Sequence, residues 1–240
     1  MSTFATALLS MWIETGPSGA PNPVTFGYTP FADGHDGLLG WKFFTNGGPG
    51  ADPNHNFYFD CEVDWGDGTI PYYAGSPLQG YSWITPPYAP LTWYHYLVSF
   101  DSSTLRFECA INDVLLTPYP GQIANLYANR VLWPTNGNEL ALPLTSFAHG
   151  CQAELYWDTG RPFLDLTVES NRRKFIKANL APADLGTDGS LPTGSQPQIY
   201  CSVRQGQTAM DYLTNRGSLG GAVQYTHGAP QLCGIGGLPT

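Results

Sequence analysis

Charge is scarce in this 240-residue chain, where Asp, Glu, Lys and Arg make up 12% of residues; an average soluble domain carries roughly 25%. Only ten residues are basic against nineteen acidic, a net charge of −9. A protein that grips a phosphate backbone needs a basic face, so composition argues against a general nucleic-acid role. Four of the ten, Arg172, Arg173, Lys174 and Lys177, crowd together. Such a cluster reads as the solvated face of a short helix, or as an anchor for an acidic partner. No segment reaches the ~18 consecutive apolar residues of a spanning helix, so no membrane insertion is expected. The stretch from Met1 to Glu14 has no basic start, and Ser10, Trp12 and Glu14 interrupt it; it does not read as an export signal.

Paired metal-ligand spacings are also missing. The five cysteines, Cys61, Cys109, Cys151, Cys201 and Cys233, stand singly, against both a disulfide framework and a zinc knuckle. Reduced, buried thiols in strands are the expectation. His35, His55, His95, His149 and His227 show no HExxH spacing, and His95 reads as a packing residue. No GxSxG or GxxxxGK[ST] element is present, so neither a nucleophile elbow nor a phosphate loop is expected. No cofactor and no metal follow from these patterns.

What the chain has is turns and rings. Gly 28 and Pro 21 make about a fifth of it, and aromatics are 14%; that favours many short strands over long helices. Strands are expected at residues 7–13 (ALLSMWI), 24–28, 38–45 (LLGWKFFT) and 57–65 (FYFDCEVDW). In the last of these, Phe57, Phe59, Cys61, Val63 and Trp65 alternate with Asp60, Glu62 and Asp64, a solvent face opposite a core face. A hairpin is expected from 93–101 to 104–110, with Ser102-Ser103 as its turn and Asp101 bonded to the turn backbone. Asn112-Asp113 turns the chain into Val114-Leu115-Leu116, and further strands are expected at 130–133, 151–157, 199–203 and 222–226. A short helix capped by Thr167 or Ser170 would run through Lys177. The fold class is all-β, an antiparallel two-sheet sandwich or jelly roll with one short helix.

Residues 93–116, WYHYLVSFDSSTLRFECAINDVLL, resemble the central hairpin of laminin-G and concanavalin A-like domains: a Trp-x-His start, an apolar strand, an Asp-led turn, a second strand and an Asn-Asp turn. ALLSMWI resembles the S-x-W strand of that fold. Residues 153–176 (AELYWDTGRPFLDLTVESNRRKFI) and 184–206 (DLGTDGSLPTGSQPQIYCSVRQG) resemble the end and tail of such domains in bacteriophage and prophage proteins. The resemblance implies a concanavalin A-like jelly roll over 1–183, with 184–240 as an extension packing on it or on a neighbouring subunit. It further implies a structural or accessory virion protein (capsid decoration, head fibre or tail component), assembled in the host cytoplasm. Its partners would be other virion proteins, further copies of itself and host-surface polysaccharide.

Two surfaces carry candidate chemistry. Glu62 and Asp64 lie two apart on an expected strand, with Asp67 in the Gly66-Asp67-Gly68 turn. Retaining glycosidases use two carboxylates ~5–5.5 Å apart, and this run resembles the E-x-D-x-x-E strand of concanavalin-like endoglucanases. Asp67 replaces the final Glu, however, so a solvent-facing strand entering a turn is preferred and no catalysis is expected. The second surface is Tyr72, Tyr73, Tyr81, Trp83 and Tyr88 in a Pro-rich stretch, read as a platform for glycan or protein contact, with core filling under a loop as the equal alternative. Asp33, Asp36, Asp52, Asp67 and Asp158 fall in expected loops and read as turn caps rather than calcium ligands.

Overall fold

A computed structural model describes residues 2–4, 6–14, 25–28, 40–46, 56–62, 80–101, 103–104, 106–118, 131–133, 141–142, 151–202, 209–212, 214–221 and 224–225. The strands in chain order are β1 Ser2–Phe4, β2 Thr6–Glu14, β3 Thr25–Tyr28, β4 Gly40–Asn46, β5 Asn56–Glu62, β6 Gly80–Ile84, β7 Trp93–Asp101 and β8 Arg106–Ile111. There follow β9 Val114–Leu115, β10 Thr117–Pro118, β11 Val131–Trp133, β12 Ala141–Leu142, β13 Cys151–Thr159, β14 Ile199–Cys201 and β15 Gln224–Tyr225. One sheet has six strands in the order β14-β13-β2-β7-β8-β9, and a second has five in the order β10-β6-β5-β4-β3. Every pairing within both is antiparallel. Two small sheets, β1 with β11 and a parallel β12 with β15, complete the set. The fold is therefore the expected all-β, two-sheet antiparallel sandwich.

The ALLSMWI run explains the centre of the larger sheet. Strands covered on both faces read as unbroken apolar runs instead of alternating ones, and β2 and β7 are buried along almost their whole length. Leu9, Met11 and Ile13 share one side with Tyr94, Tyr96, Val98 and Phe100 by register. There Phe100 stacks on Phe107 at 5.6 Å and meets Trp157 at 6.4 Å. Tyr88, just beyond β6, packs edge-on against Tyr94 at 5.1 Å, which ties the smaller sheet to this side. The β7–β8 turn forms as its residues dictate: the Asp101 carboxylate accepts from the Ser103 amide at 2.9 Å and its hydroxyl at 2.6 Å. Asn112 and Asp113 both take positive φ, 47° and 67°, as a two-residue hairpin turn requires.

The opposite side of the larger sheet is roofed by the chain itself. Gly160 reverses direction after β13 with φ 72°, and the segment from Arg161 to Gln198 lies over Leu8, Leu97, Tyr156 and Tyr200, contributing Leu166, Phe175 and Leu185 to one cluster. Ile176 adds to a second cluster with Trp12, Trp93 and Ala153. Burying each of these large apolar side chains contributes roughly 1.5–3 kcal/mol. Leu166 and Phe175 share this cluster with Leu185 and Tyr200, so a single layer runs across the expected 183/184 division.

The expected helix is shorter than its sequence implied. Helix α1 spans Glu169–Arg172, its N-cap is Val168, and no side chain caps it. Thr167 is instead held by the Asp165 carboxylate through its amide at 3.0 Å and through its hydroxyl. Phe175 and Ile176 are both buried, and neighbouring residues of a helix diverge by about 100°, so a continuing helix would expose one of them. A second one-turn helix, α2 Ala209–Tyr212, raises the number from the one expected to two.

The β14 edge is closed by a side chain. Asn215 Oδ1 accepts from the Tyr200 and Gly217 amides, while Nδ2 donates to the Gln198 and Gly220 carbonyls. The Arg216 amide donates to the Tyr200 carbonyl at 2.8 Å. A Cβ at Gly217 would lie 2.4 Å from the Gln198 oxygen, so only glycine permits this approach.

Candidate functional site

In the smaller sheet, register sets which positions share a side. On β6, Trp83 is 0% exposed and Ile84 is 44% exposed. One row is Thr25, Phe44, Tyr58 and Ser82; the next is Gly27, Lys42, Asp60 and Gly80. Glu62, opposite Gly40, belongs to the same side. By register, two adjacent aromatic positions stand beside an acid–base pair, with glycines at both ends of the pair's row. Aromatic faces cover apolar ring surface, and a few placed polar groups fix orientation.

The expected aromatic platform is not formed by Trp83 and Tyr88. Both are buried, because residues 80–84 are a strand paired with β5 rather than a loop. Tyr81 shares Trp83's side of that strand by alternation. Tyr72 and Tyr73 lie outside the described residues, as do Asp64 and Asp67 of the carboxylate candidate. Of the aspartates expected in loops as turn caps, Asp33, Asp36 and Asp52 also lie outside them. Asp158 is not in a loop: it is in β13, buried, and paired with Arg161. Burial pushes its pKa up and Arg161 opposes that. Arg161 also donates to the Ser195 hydroxyl and the Gln196 carbonyl. Among the described residues no three His, Cys, Asp or Glu side chains are grouped to hold a metal ion.

Several other titratable groups among the described residues are held uncharged or paired. His95 is 1% exposed, its Nε2 lies 2.8 Å from the Ser10 hydroxyl, and its ring packs on Trp12 at 5.0 Å. Burial pushes its pKa down to about 3, so it is a neutral packing residue. Burial also raises the Cys109 thiol well above its ordinary value and the Cys201 thiol to about 12, which suppresses the reactive thiolate. The basic cluster departs from the expected solvated face. Arg172 and Arg173 both bind the Asp113 carboxylate, at 2.8 and 2.7 Å. Arg172 also donates to the Leu166 and Thr167 carbonyls, and Arg173 to the Lys177 carbonyl. They are clamps between the roof and the β8–β9 turn; Lys174 and Lys177 remain exposed.

No protein-family model matches the chain, and no curated protein matches it. Among solved structures it is similar to a heptameric SAP-like pentraxin from Limulus polyphemus, at 8% identity over 65% of each chain with a TM-score of 0.38. It is also similar to a Bacteroides ovatus protein described as a candidate carbohydrate binding protein, at 15% identity over 86% of this chain and 48% of that one, TM-score 0.44. The chain thus spans less than two-thirds of either protein. The architecture rests on the strand pairing described above.

Proposed function

We propose that this chain is a recognition and assembly module without catalytic activity: a structural or accessory protein of a bacteriophage particle that self-associates and binds host-surface polysaccharide. What supports the binding half is the register row Phe44–Tyr58 beside Lys42–Asp60, which we propose as a glycan groove. Sugars offer apolar ring faces and equatorial hydroxyls, and this combination of ring and acid–base positions answers both. The virion half is supported by the phage-like segments 153–176 and 184–206, which the chain uses to roof and edge its larger sheet. The absence of turnover is supported by a neutral buried His95, by suppressed thiols at Cys109 and Cys201 and by the ion pairing of Asp158.

The test has two arms. Mass spectrometry of gradient-purified particles should find the chain in many copies, and its absence removes the virion role. Purified protein should bind a surface-polysaccharide fraction of the host without releasing reducing ends, and Tyr58→Ala should weaken binding about tenfold, roughly 1.4 kcal/mol. Binding to no fraction, or full binding by the variant, removes the glycan role at this groove.

A further inference from the structure

The geometry points to a second binding site on the other side of the molecule, a cleft that takes an amine-bearing sugar through Glu154. The inference deepens the glycan reading and rests on it. In β13, Ala153 pairs with Trp12 and Tyr156 with Ser10. Glu154 and Leu155 therefore stand opposite Met11 alone, the two-against-one count of a β-bulge. Glu154 adopts φ 52°, the left-handed seat that glycine occupies without steric cost. A glutamate there is held against local backbone preference, and an outlier of this kind is a pointer to use of the side chain.

The surroundings show what the use is. Glu154 lines a cleft of about 390 Å3 together with Lys177, Pro182, Asp184, Leu185 and Tyr200, within the ~300–1,000 Å3 range of small-ligand sites. The Ser202 hydroxyl donates to Glu154 Oε1 at 2.6 Å, fixing the carboxylate. Among the described residues the charged lining is two carboxylates and one ammonium, so the cleft favours a cation over an anion. It does not suit a divalent metal, because Lys177 is one of its three charged groups. Pro182 supplies apolar wall, which a bare ammonium ion cannot use but a sugar ring can. The ligand these features fit is a monosaccharide unit with a free primary amine, its ammonium on Glu154 and Asp184 and its hydroxyls towards Lys177.

The probe is glucosamine, with glucose and N-acetylglucosamine as controls, titrated into the full chain and followed by amide chemical shifts. Glucosamine should shift resonances of the 177–185 segment saturably while both controls leave them unmoved. Glu154→Gln keeps the acceptor for Ser202 and removes the charge; it should weaken glucosamine about tenfold. Glu154→Gly should abolish binding; because it also orphans the buried Ser202 hydroxyl, Glu154→Gln, which keeps that bond, carries the test. Equal binding of glucosamine and glucose, or undiminished binding by Glu154→Gln, each overturns the inference. Loss of polysaccharide binding in Tyr58→Ala with glucosamine binding intact leaves both readings standing. Polysaccharide binding without any glucosamine response overturns the cleft alone. A glucosamine response without polysaccharide binding overturns the groove alone.

Discussion

The two sheets of this sandwich divide scaffold from proposed contact. The larger sheet is roofed by residues that follow β13, and beneath that roof Ser10 meets His95, Asp158 meets Arg161, and the Ser99 hydroxyl accepts from the Leu164 amide. The smaller sheet sets Phe44, Tyr58 and Ser82 in one register row and Lys42 and Asp60 in the next. Polar groups on the roofed side are consumed in holding the fold; the proposed glycan contacts lie on the smaller sheet. A buried polar group costs free energy unless it is paired, so the roofed side is tuned for internal satisfaction and carries little capacity for recognition away from its rim.

Breaking the roof should have the largest effect. Phe175→Ala removes a buried ring that meets Tyr156 edge-on at 5.2 Å and should cost about 3–5 kcal/mol, read as a shift in urea midpoint at unchanged slope. Acid should come next. The His95 pKa is about 3 in the folded chain against ~6.5 unfolded, so the unfolded state binds the extra proton and stability falls as pH drops below about 6.5. Between pH 7 and pH 4.5 the loss should be about 2–3 kcal/mol by chemical denaturation, and His95→Gln should flatten that slope. This window lies above the range where Asp101, Asp165 and Asp188 titrate, whose hydrogen bonds hold their carboxyls below the usual value. A slope that survives in His95→Gln assigns the acid sensitivity to other groups.

Unclamping the roof is a smaller change. Asp113→Ala leaves Arg172 and Arg173 without their shared carboxylate and should cost about 2 kcal/mol, less than a fully buried pair. Hydrogen exchange should quicken in residues 166–176 before the rest of the sheet. The other side of the comparison should barely register in stability. Tyr58→Ala, in the proposed glycan row, should move the unfolding free energy by about 0.5 kcal/mol or less while weakening glycan binding as stated above. A large stability loss in that variant would make Tyr58 a core residue and dissolve the contrast between the two sides.

Much of the scaffold is legible in the sequence because its signals are local. β7 falls at 93–101 as expected, and the Asp101 and Asn112-Asp113 turns form from their own side chains. β6 is missed because Gly80 and the following prolines read as loop, whereas pairing with β5 overrides propensity. That one omission leaves a core ring and an exposed platform as equal readings of Trp83. The basic cluster is misread for a related reason: Asp113 is 59 positions from Arg172, and spacing along the chain carries no trace of the clamp. The proposed glycan row is half legible. Alternation places Asp60 and Glu62 together, but Phe44 and Tyr58 become neighbours only through the β4–β5 register.

The Asn215 plug has a consequence for life in a crowd. Where many copies are held shoulder to shoulder, an open strand edge is an invitation to zip neighbouring sheets into one another without limit. Here the outer edge of β14 is already occupied, by the Asn215 amide on the Tyr200 N–H and the Gln198 carbonyl and by the Arg216 N–H on the Tyr200 carbonyl. The chain carries its own full stop. At this edge, copies brought to high local concentration can meet through side-chain surfaces, which can be specific and finite, instead of through backbone, which is neither.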